Sequence, residues 1–260
     1  MKPMALLLAS GLLLGAGVKA PAADETDANT IVERANKASY YAGKDGRAQV
    51  KMTLSDGRTR EFVILRANAD EGMEQKFYVY FMAPADVRKM AYLVHKRPGG
   101  LDDRWLFLPA LNLVKRIAPG DKRTSFVGSD FLYEDVSGRG LEEDTHELIE
   151  SSATQYVLKN TPKDSGSVKF LSYTVWIDKE TFLPRKAEYL DKNGTLYRRV
   201  VATKVETIEG HPTVLETYAE DLVSGSKTVN SFSEVSYDLG LKDGLFTERF
   251  LRRPPREVTR

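Results

Sequence analysis

Short runs of alternating apolar and polar residues, separated by Gly, Pro, Asn or Asp, dominate this 260-residue sequence. Val50, Met52 and Leu54 alternate with polar residues, and Ser55-Asp56-Gly57 then predicts a hairpin turn before a second run over 60–66. Side chains alternate between the two faces of a strand, so a period of two indicates half-buried strands. The sequence therefore predicts antiparallel pairing of many short strands.

Eleven or twelve strands are expected along the chain. The predicted strands are residues 50–54, 60–66, 76–82, 90–96, 104–108, 112–117, 155–160, 171–177, 185–190, 196–206, 214–221 and 227–237. A sheet of that many strands curls, because strand twist accumulates across it. The fold class is thus mainly β with a few helices, built around one curved antiparallel sheet.

Two segments depart from the alternating pattern. Residues 30–41 carry apolar side chains at helical spacing and predict an amphipathic helix, with Asp27 or Thr30 as N-cap and Gly43 ending it. Residues 120–140 lack alternation and predict a flap-like loop with a short helix capped by Ser129 or Asp130.

The first 22 residues have the pattern of a secretory signal peptide. Lys2 supplies a positive start, residues 5–18 carry no charge, and Ala20-Pro21-Ala22 has the small residues that signal peptidases recognise. The apolar run is shorter than the roughly 20 residues that a membrane-spanning helix needs. We expect cleavage after Ala22, with Ala23 as the alternative, and a single soluble domain over 23–260 in the periplasm.

Composition limits the other possibilities. The chain has no cysteine, which removes disulfides and acylation at an N-terminal cysteine, so the protein must be stabilised by burial alone. Its 38 basic and 37 acidic residues nearly balance, which argues against a nucleic-acid partner.

Motifs for catalysis are absent from the sequence. His95, His146 and His211 lie far apart with no paired-ligand motif, and no G-x-S-x-G serine motif occurs. We therefore expect no catalytic residues, no metal, no cofactor and no enzyme activity.

Two predicted strands are apolar on both faces. Residues 77–82 and 105–108 have this pattern, and such strands need cover on each side. One cover can be a helix, and the other side faces either ordinary core or a ligand cavity. The residues leave both readings open.

Several longer motifs resemble a known family. Matching stretches are residues 103–111, Val114-Lys115-Arg116-Ile117, residues 121–131, Tyr133-Glu134-Asp135, Val175-Trp176-Ile177-Asp178 with Leu183-Pro184, and residues 245–253. They resemble the LolA-like outer-membrane lipoprotein-sorting proteins, in a branch associated with RND-type exporters.

The resemblance implies an incomplete β-barrel around an apolar cavity, closed by a helical lid. It also implies a carrier without catalytic residues, which takes a lipid or acylated lipoprotein from an inner-membrane RND-type transporter toward the outer membrane. We expect a monomer that touches membranes only transiently.

Site residues are assigned on that expectation. The wall residues, chosen because each set alternates on one strand face, are Phe77, Val79, Phe81, Trp105 and Phe107. Residues 121–140 and the 30–41 helix are assigned as lid, with Phe126, Phe131 and Leu132 on the cargo. Lys115, Arg116 and Arg123 are assigned to a polar rim that meets a carboxylate or phosphate of cargo or partner.

Three alternatives remain at this stage. The first is a periplasmic adaptor of an RND-type exporter that fills its concavity with its own side chains. The second is an enzyme that modifies envelope lipids, and the third is a β domain with no cargo.

Overall fold

The computed structural model describes residues 25–69 and 74–259, so the expected signal peptide lies outside the described residues. The described strands are β1 (Asp45–Thr53), β2 (Thr59–Asn68), β3 (Gln75–Ala83), β4 (Ala91–Lys96), β5 (Asp103–Leu108), β6 (Leu113–Arg116), β7 (Asp144–Ser151), β8 (Gln155–Pro162), β9 (Phe170–Asp178), β10 (Pro184–Asp191), β11 (Leu196–Ile208), β12 (His211–Asp221) and β13 (Ser226–Tyr237). The α-helices are α1 (Ala28–Tyr40), α2 (Tyr133–Ser137) and α3 (Arg249–Arg252).

All 13 strands form one antiparallel sheet. Strands β1 to β6 form one meander and β7 to β13 form another, and the pairing of β1 with β13 joins the two. The sheet is open, with β6 and β7 as its free edges. The expected large, curved, incompletely closed sheet with few helices is confirmed.

Helix α1 covers part of the inner face of the sheet. It begins one residue after Asp27, whose carboxylate accepts hydrogen bonds from the Thr30 backbone N–H at 2.9 Å and from its hydroxyl at 2.6 Å. This identifies Asp27 as the N-cap, as expected. Ile31 and Ala35 are buried in a cluster with residues of β8 and β9.

The strands β2 to β5 are apolar on both faces, and both faces are covered. On the inner face, Phe77, Val79, Tyr92 and their neighbours form the largest core cluster. On the outer face, Tyr78, Tyr80 and Leu93 pack against residues of the segment 241–258. The C-terminal segment is therefore the outer cover that these strands require.

The segment between the two free edges, residues 117–143, is here called the flap. Its short helix is α2, whose N-cap is Leu132, so the expected caps Ser129 and Asp130 were wrong. The Asp135 carboxylate accepts the Leu132 N–H at 2.7 Å. Ser129 instead donates to the Phe126 carbonyl at 2.7 Å, inside the turn before the helix.

Strand β7 was missing from the sequence-based prediction. Its sequence, DTHELIES, carries three acidic residues, and most of its side chains are exposed. An edge strand has one neighbour and buries little, so it lacks the apolar alternation that revealed the other strands.

Phe126 is the central side chain of the inner core. Its ring centroid lies 5.2 Å from that of Tyr133, 5.8 Å from those of Phe81 and Tyr92, and 6.1 Å from that of Phe62. One flap residue thereby joins the rings of β2, β3 and β4.

Phe126→Ala should lower the free energy of unfolding by about 3–5 kcal/mol, because it leaves a cavity among these rings. Urea denaturation measures the loss. Leu171→Ala is the control, since Leu171 is 45 % exposed, and should cost about 0.5 kcal/mol or less. Equal losses in the two variants would contradict this role for Phe126.

Candidate ligand-binding cavity

A cavity of about 500 Å³ lies between the inner face of the sheet, α1 and the flap. Its lining is mostly apolar and includes Val32, Ala35, Val50, Phe62, Ile64, Val175, Val200 and Phe232. Small-molecule sites are typically mostly apolar pockets of about 300–1,000 Å³. The size and lining of this cavity therefore suit a small apolar ligand or a hydrocarbon chain.

The structure separates the five expected wall residues. Phe77 and Val79 line the cavity. Phe81 lies on the same face but packs into the ring cluster, 5.0 Å from Phe62. Trp105 and Phe107 lie on the outer face against the C-terminal segment, so their placement on the wall was wrong.

Strand register explains this correction. Phe77 is opposite Val94, which is opposite Arg104, whereas Tyr78 is opposite Leu93, which is opposite Trp105. Directly opposite residues share a face. Because β5 is apolar on both faces, its sequence alone does not reveal which alternate set faces inward.

The expected lid residues divide in a similar way. Phe126 and Phe131 are buried and line the cavity. Several residues of α1 also line it. Leu132 instead lines a second cavity of about 480 Å³ on the far side of α2, together with charged residues that include Lys169. The two cavities share Tyr40, Asp135, Arg139 and Tyr189 in their walls.

The three expected rim cations do not form one site. Lys115 and Arg116 are exposed on the edge strand β6, where Arg116 pairs with Asp103. Arg123 is only 10 % exposed and lies inside the flap, 3.1 Å from Glu134 and 2.9 Å from Glu143.

An ion-pair network joins the flap to β7, and Tyr173 extends it to β9. Its members are Lys122, Arg123, Glu134, Arg139, Glu143, Asp144 and Tyr173. Arg139 makes two hydrogen bonds to Asp144, at 2.7 and 2.8 Å, and the Tyr173 hydroxyl donates to the same carboxylate at 2.7 Å. Its three cations pair with three carboxylates, so this largely buried network carries no net charge.

The pKa values of two carboxylates in this region are shifted in opposite directions. Burial alone raises the pKa of Glu143, but hydrogen bonds from Lys122 and the charge of Arg139 outweigh it, so the pKa lies below its usual value. Burial raises the pKa of Asp135, and Arg198, 2.5 Å away, offsets only part of that increase. Asp135 and Arg198 join α2 to β11.

A further anchor joins the flap to β13. The Asp130 carboxylate accepts hydrogen bonds from the Ser226 and Thr228 hydroxyls, the second at 2.6 Å. The flap is thus bound to β7, β11 and β13, and it spans the cavity as a fixed cover.

Sequence reasoning missed two polar features of the cavity. The Asn230 amide oxygen on β13 is buried, lines the cavity and has no hydrogen-bond partner among the described residues. Arg66 on β2 also lines the cavity. Both residues interrupt alternating strands and resemble ordinary outward-facing polar residues, so only the strand register identifies them.

Lys96 is a buried cation near α1. Its ammonium donates to the Ser137 carbonyl at 2.7 Å and lies 5.2 Å from the Tyr40 ring centroid. Burial lowers the pKa of Lys96 to about 8. From about pH 8 to about pH 10.5 the unfolded chain therefore holds more protons than the folded one at this residue.

The contribution of Lys96 to unfolding free energy should accordingly rise with pH across that interval, because deprotonation removes a buried charge. Urea midpoints of the wild type and Lys96→Met, measured at several pH values, give the difference, and NMR titration of the Lys96 side chain gives its pKa. A midpoint near 10.5, the ordinary value for lysine, would contradict the burial argument.

Two local findings bear on other chemistry. Among residues 25–69 and 74–259, no group of three or more His, Asp or Glu side chains is arranged to hold a metal ion. Within the same residues, no helix has the length and apolar character needed to cross a membrane.

Solved structures share this fold. A DUF1329 family protein from Desulfovibrio piger is 29% identical, with a TM-score of 0.78, over 86% of this chain and 97% of that chain. A Vibrio parahaemolyticus protein, described as a candidate outer membrane lipoprotein-sorting protein domain, is 27% identical, with a TM-score of 0.80, over 87% and 98%. A LolA superfamily protein from Nitrosomonas europaea, 21% identical, with a TM-score of 0.64 over 87% and 100%, shows the fold alone.

Sequence comparisons give a complementary result. A search of curated proteins found no match. A family model described as an uncharacterized protein family matches residues 73–253, which is well over half of the chain. The chain therefore belongs to this DUF1329-like family, and it shares its fold with the LolA superfamily protein from Nitrosomonas europaea.

Proposed function

We propose that this protein is a periplasmic carrier that holds a lipid or the acyl chain of a lipoprotein in the cavity. It takes this cargo from an inner-membrane transporter of the RND type and delivers it toward the outer membrane, as a monomer without catalytic activity. The observation that carries the proposal is the cavity of about 500 Å³ between sheet, α1 and flap. The likeness to a candidate lipoprotein-sorting domain supports it.

The energetics of an acyl chain require such a carrier. Burial of one CH₂ group gains about 0.8 kcal/mol, so a 16-carbon chain gains of order 12 kcal/mol on leaving water. Free diffusion between membranes is therefore negligible. The cavity must recover much of that gain, while the work of opening offsets part of it and permits release.

Helix α1 is the element that opens in this proposal. The flap is tied down by ion pairs to β7 and β11, whereas α1 buries only Ile31 and Ala35 completely. Movement of α1 uncovers Val175 and Ile177 on the cavity wall. The expected lid thus divides into a fixed flap and a mobile helix.

Mass spectrometry of organic extracts tests the proposal directly. The protein is purified from its native host without detergent, and the extract is compared with one from a β-sheet protein of similar size. A stoichiometric apolar ligand is expected. An adaptor that merely binds an exporter would yield an extract no different from the control.

A blocked cavity provides the matched test. Val200 lines the cavity, and the next residue, Val201, does not. Val200→Trp should weaken uptake of a fluorescent fatty acyl probe about tenfold, because the indole occupies the space that the chain needs. Val201→Trp should change uptake by less than about twofold.

Thermal denaturation of both tryptophan variants verifies that they are folded. If Val200→Trp is folded and binds the probe as the wild type does, the cavity is not the cargo site. Equal losses in the two folded variants would contradict the proposed site in the same way.

A further inference from the structure

The cavity wall has an excess of positive charge. Five cationic side chains line it, against the single carboxylate Asp135, which is paired with Arg198. Three of the five have carboxylate partners: Arg47 with Glu234, Arg139 with Asp144, and Lys186 with Glu188. Among the described residues, no carboxylate forms an ion pair with either of the remaining two, Arg66 and Arg185.

Arg66 lies on the inner face of the sheet, at the cavity wall. In the strand register it stands between Gly46 on β1 and Phe77 on β3, and all three line the cavity. A Cβ atom at Gly46 would lie 3.5 Å from the Arg66 Nη2 atom. That distance is an ordinary van der Waals contact, so the guanidinium lies close beside the β1 backbone.

Neutral groups satisfy only part of this guanidinium. Nη1 donates to the Asn68 side-chain oxygen at 2.8 Å, and Nη2 donates to the Ala42 carbonyl. An arginine has five N–H donors, so this arrangement leaves donors for another acceptor.

The nearest carboxylates are bound to other groups. Asp45 accepts the backbone N–H groups of Leu239 and Leu241, at 2.7 and 2.8 Å, and Asp238 accepts that of Lys44 at 2.6 Å. They act on Arg66 only through space. Burial is the largest influence on the pKa of Arg66 and lowers it, which reflects the cost of a cation in an apolar wall.

We infer that the cargo carries an anionic oxygen group, a carboxylate or a phosphate, attached to its hydrocarbon, and that Arg66 binds this group inside the cavity. The inference rests on the proposed function and specifies its cargo. A guanidinium donates two parallel hydrogen bonds to either anion, and such a charged pair compensates the buried cation. Arg185, half-buried on β10, adds a weaker attraction.

Competition binding to the full chain tests the inference with three probes of equal chain length. They are palmitate for the carboxylate, palmitoyl lysophosphatidate for the phosphate, and hexadecanol as the neutral control. At least one anionic probe should bind about tenfold more tightly than hexadecanol. The tighter of the two identifies which anion the site prefers.

Variants of Arg66 assign that preference to one residue. Arg66→Met should weaken the preferred anion about tenfold and leave hexadecanol unchanged, while Arg66→Lys should retain part of the preference. Arg58→Met is the matched control, because Arg58 pairs with Asp56 in an exposed hairpin turn away from the cavity.

The outcomes separate this inference from the proposed function. Hexadecanol and both anions binding with equal affinity would overturn the inference and leave a carrier of neutral lipids. Binding of none of the three would overturn the carrier proposal as well. If circular dichroism shows that Arg66→Met is unfolded, the inference is tested by the wild-type preference for an anionic probe and by the affinity of Arg66→Lys for the same probe.

Discussion

The pairing of β1 with β13 is the constraint on which the rest of the structure depends. It joins residues almost 200 positions apart, such as Gly46 and Tyr237, and converts two meanders into one sheet. Without it, neither half encloses a cavity, because the wall takes residues from both. Such long-range pairing is slow to form, since loop closure must precede the contacts that stabilise it.

Buried charges are compensated differently in two regions of the interior. Around the flap, every buried carboxylate of the ion-pair network meets Lys122, Arg123 or Arg139, so the cover is neutral and rigid. On the cavity wall, Arg66 has only neutral acceptors. A buried charge left without a counterion weakens a fold, and its presence in a wall of Val, Ile and Phe is best understood through what enters the cavity.

The sequence was sufficient for the architecture but not for the site. Alternation located twelve of the strands, and helical spacing with Asp27 located α1. Alternation did not reveal β7, because its exposed edge position removes the apolar signal. It also did not show which way Trp105 and Phe107 of β5 point, because both faces of that strand are apolar. Arg66 and Asn230 were invisible for a related reason: the inward direction of a polar side chain depends on register with distant strands, which no local pattern encodes.

The flap limits how far the sheet can open, because it runs from one free edge of the sheet to the other. It lies across the gap between these edges and is held there by hydrogen bonds and ion pairs of Asp130, Asp135 and Arg139. The separation of the two free edges is therefore held by these flap contacts and not by strand pairing between β6 and β7. Parting the edges to admit a bulkier ligand would break these ion pairs and hydrogen bonds, so displacing α1 costs less.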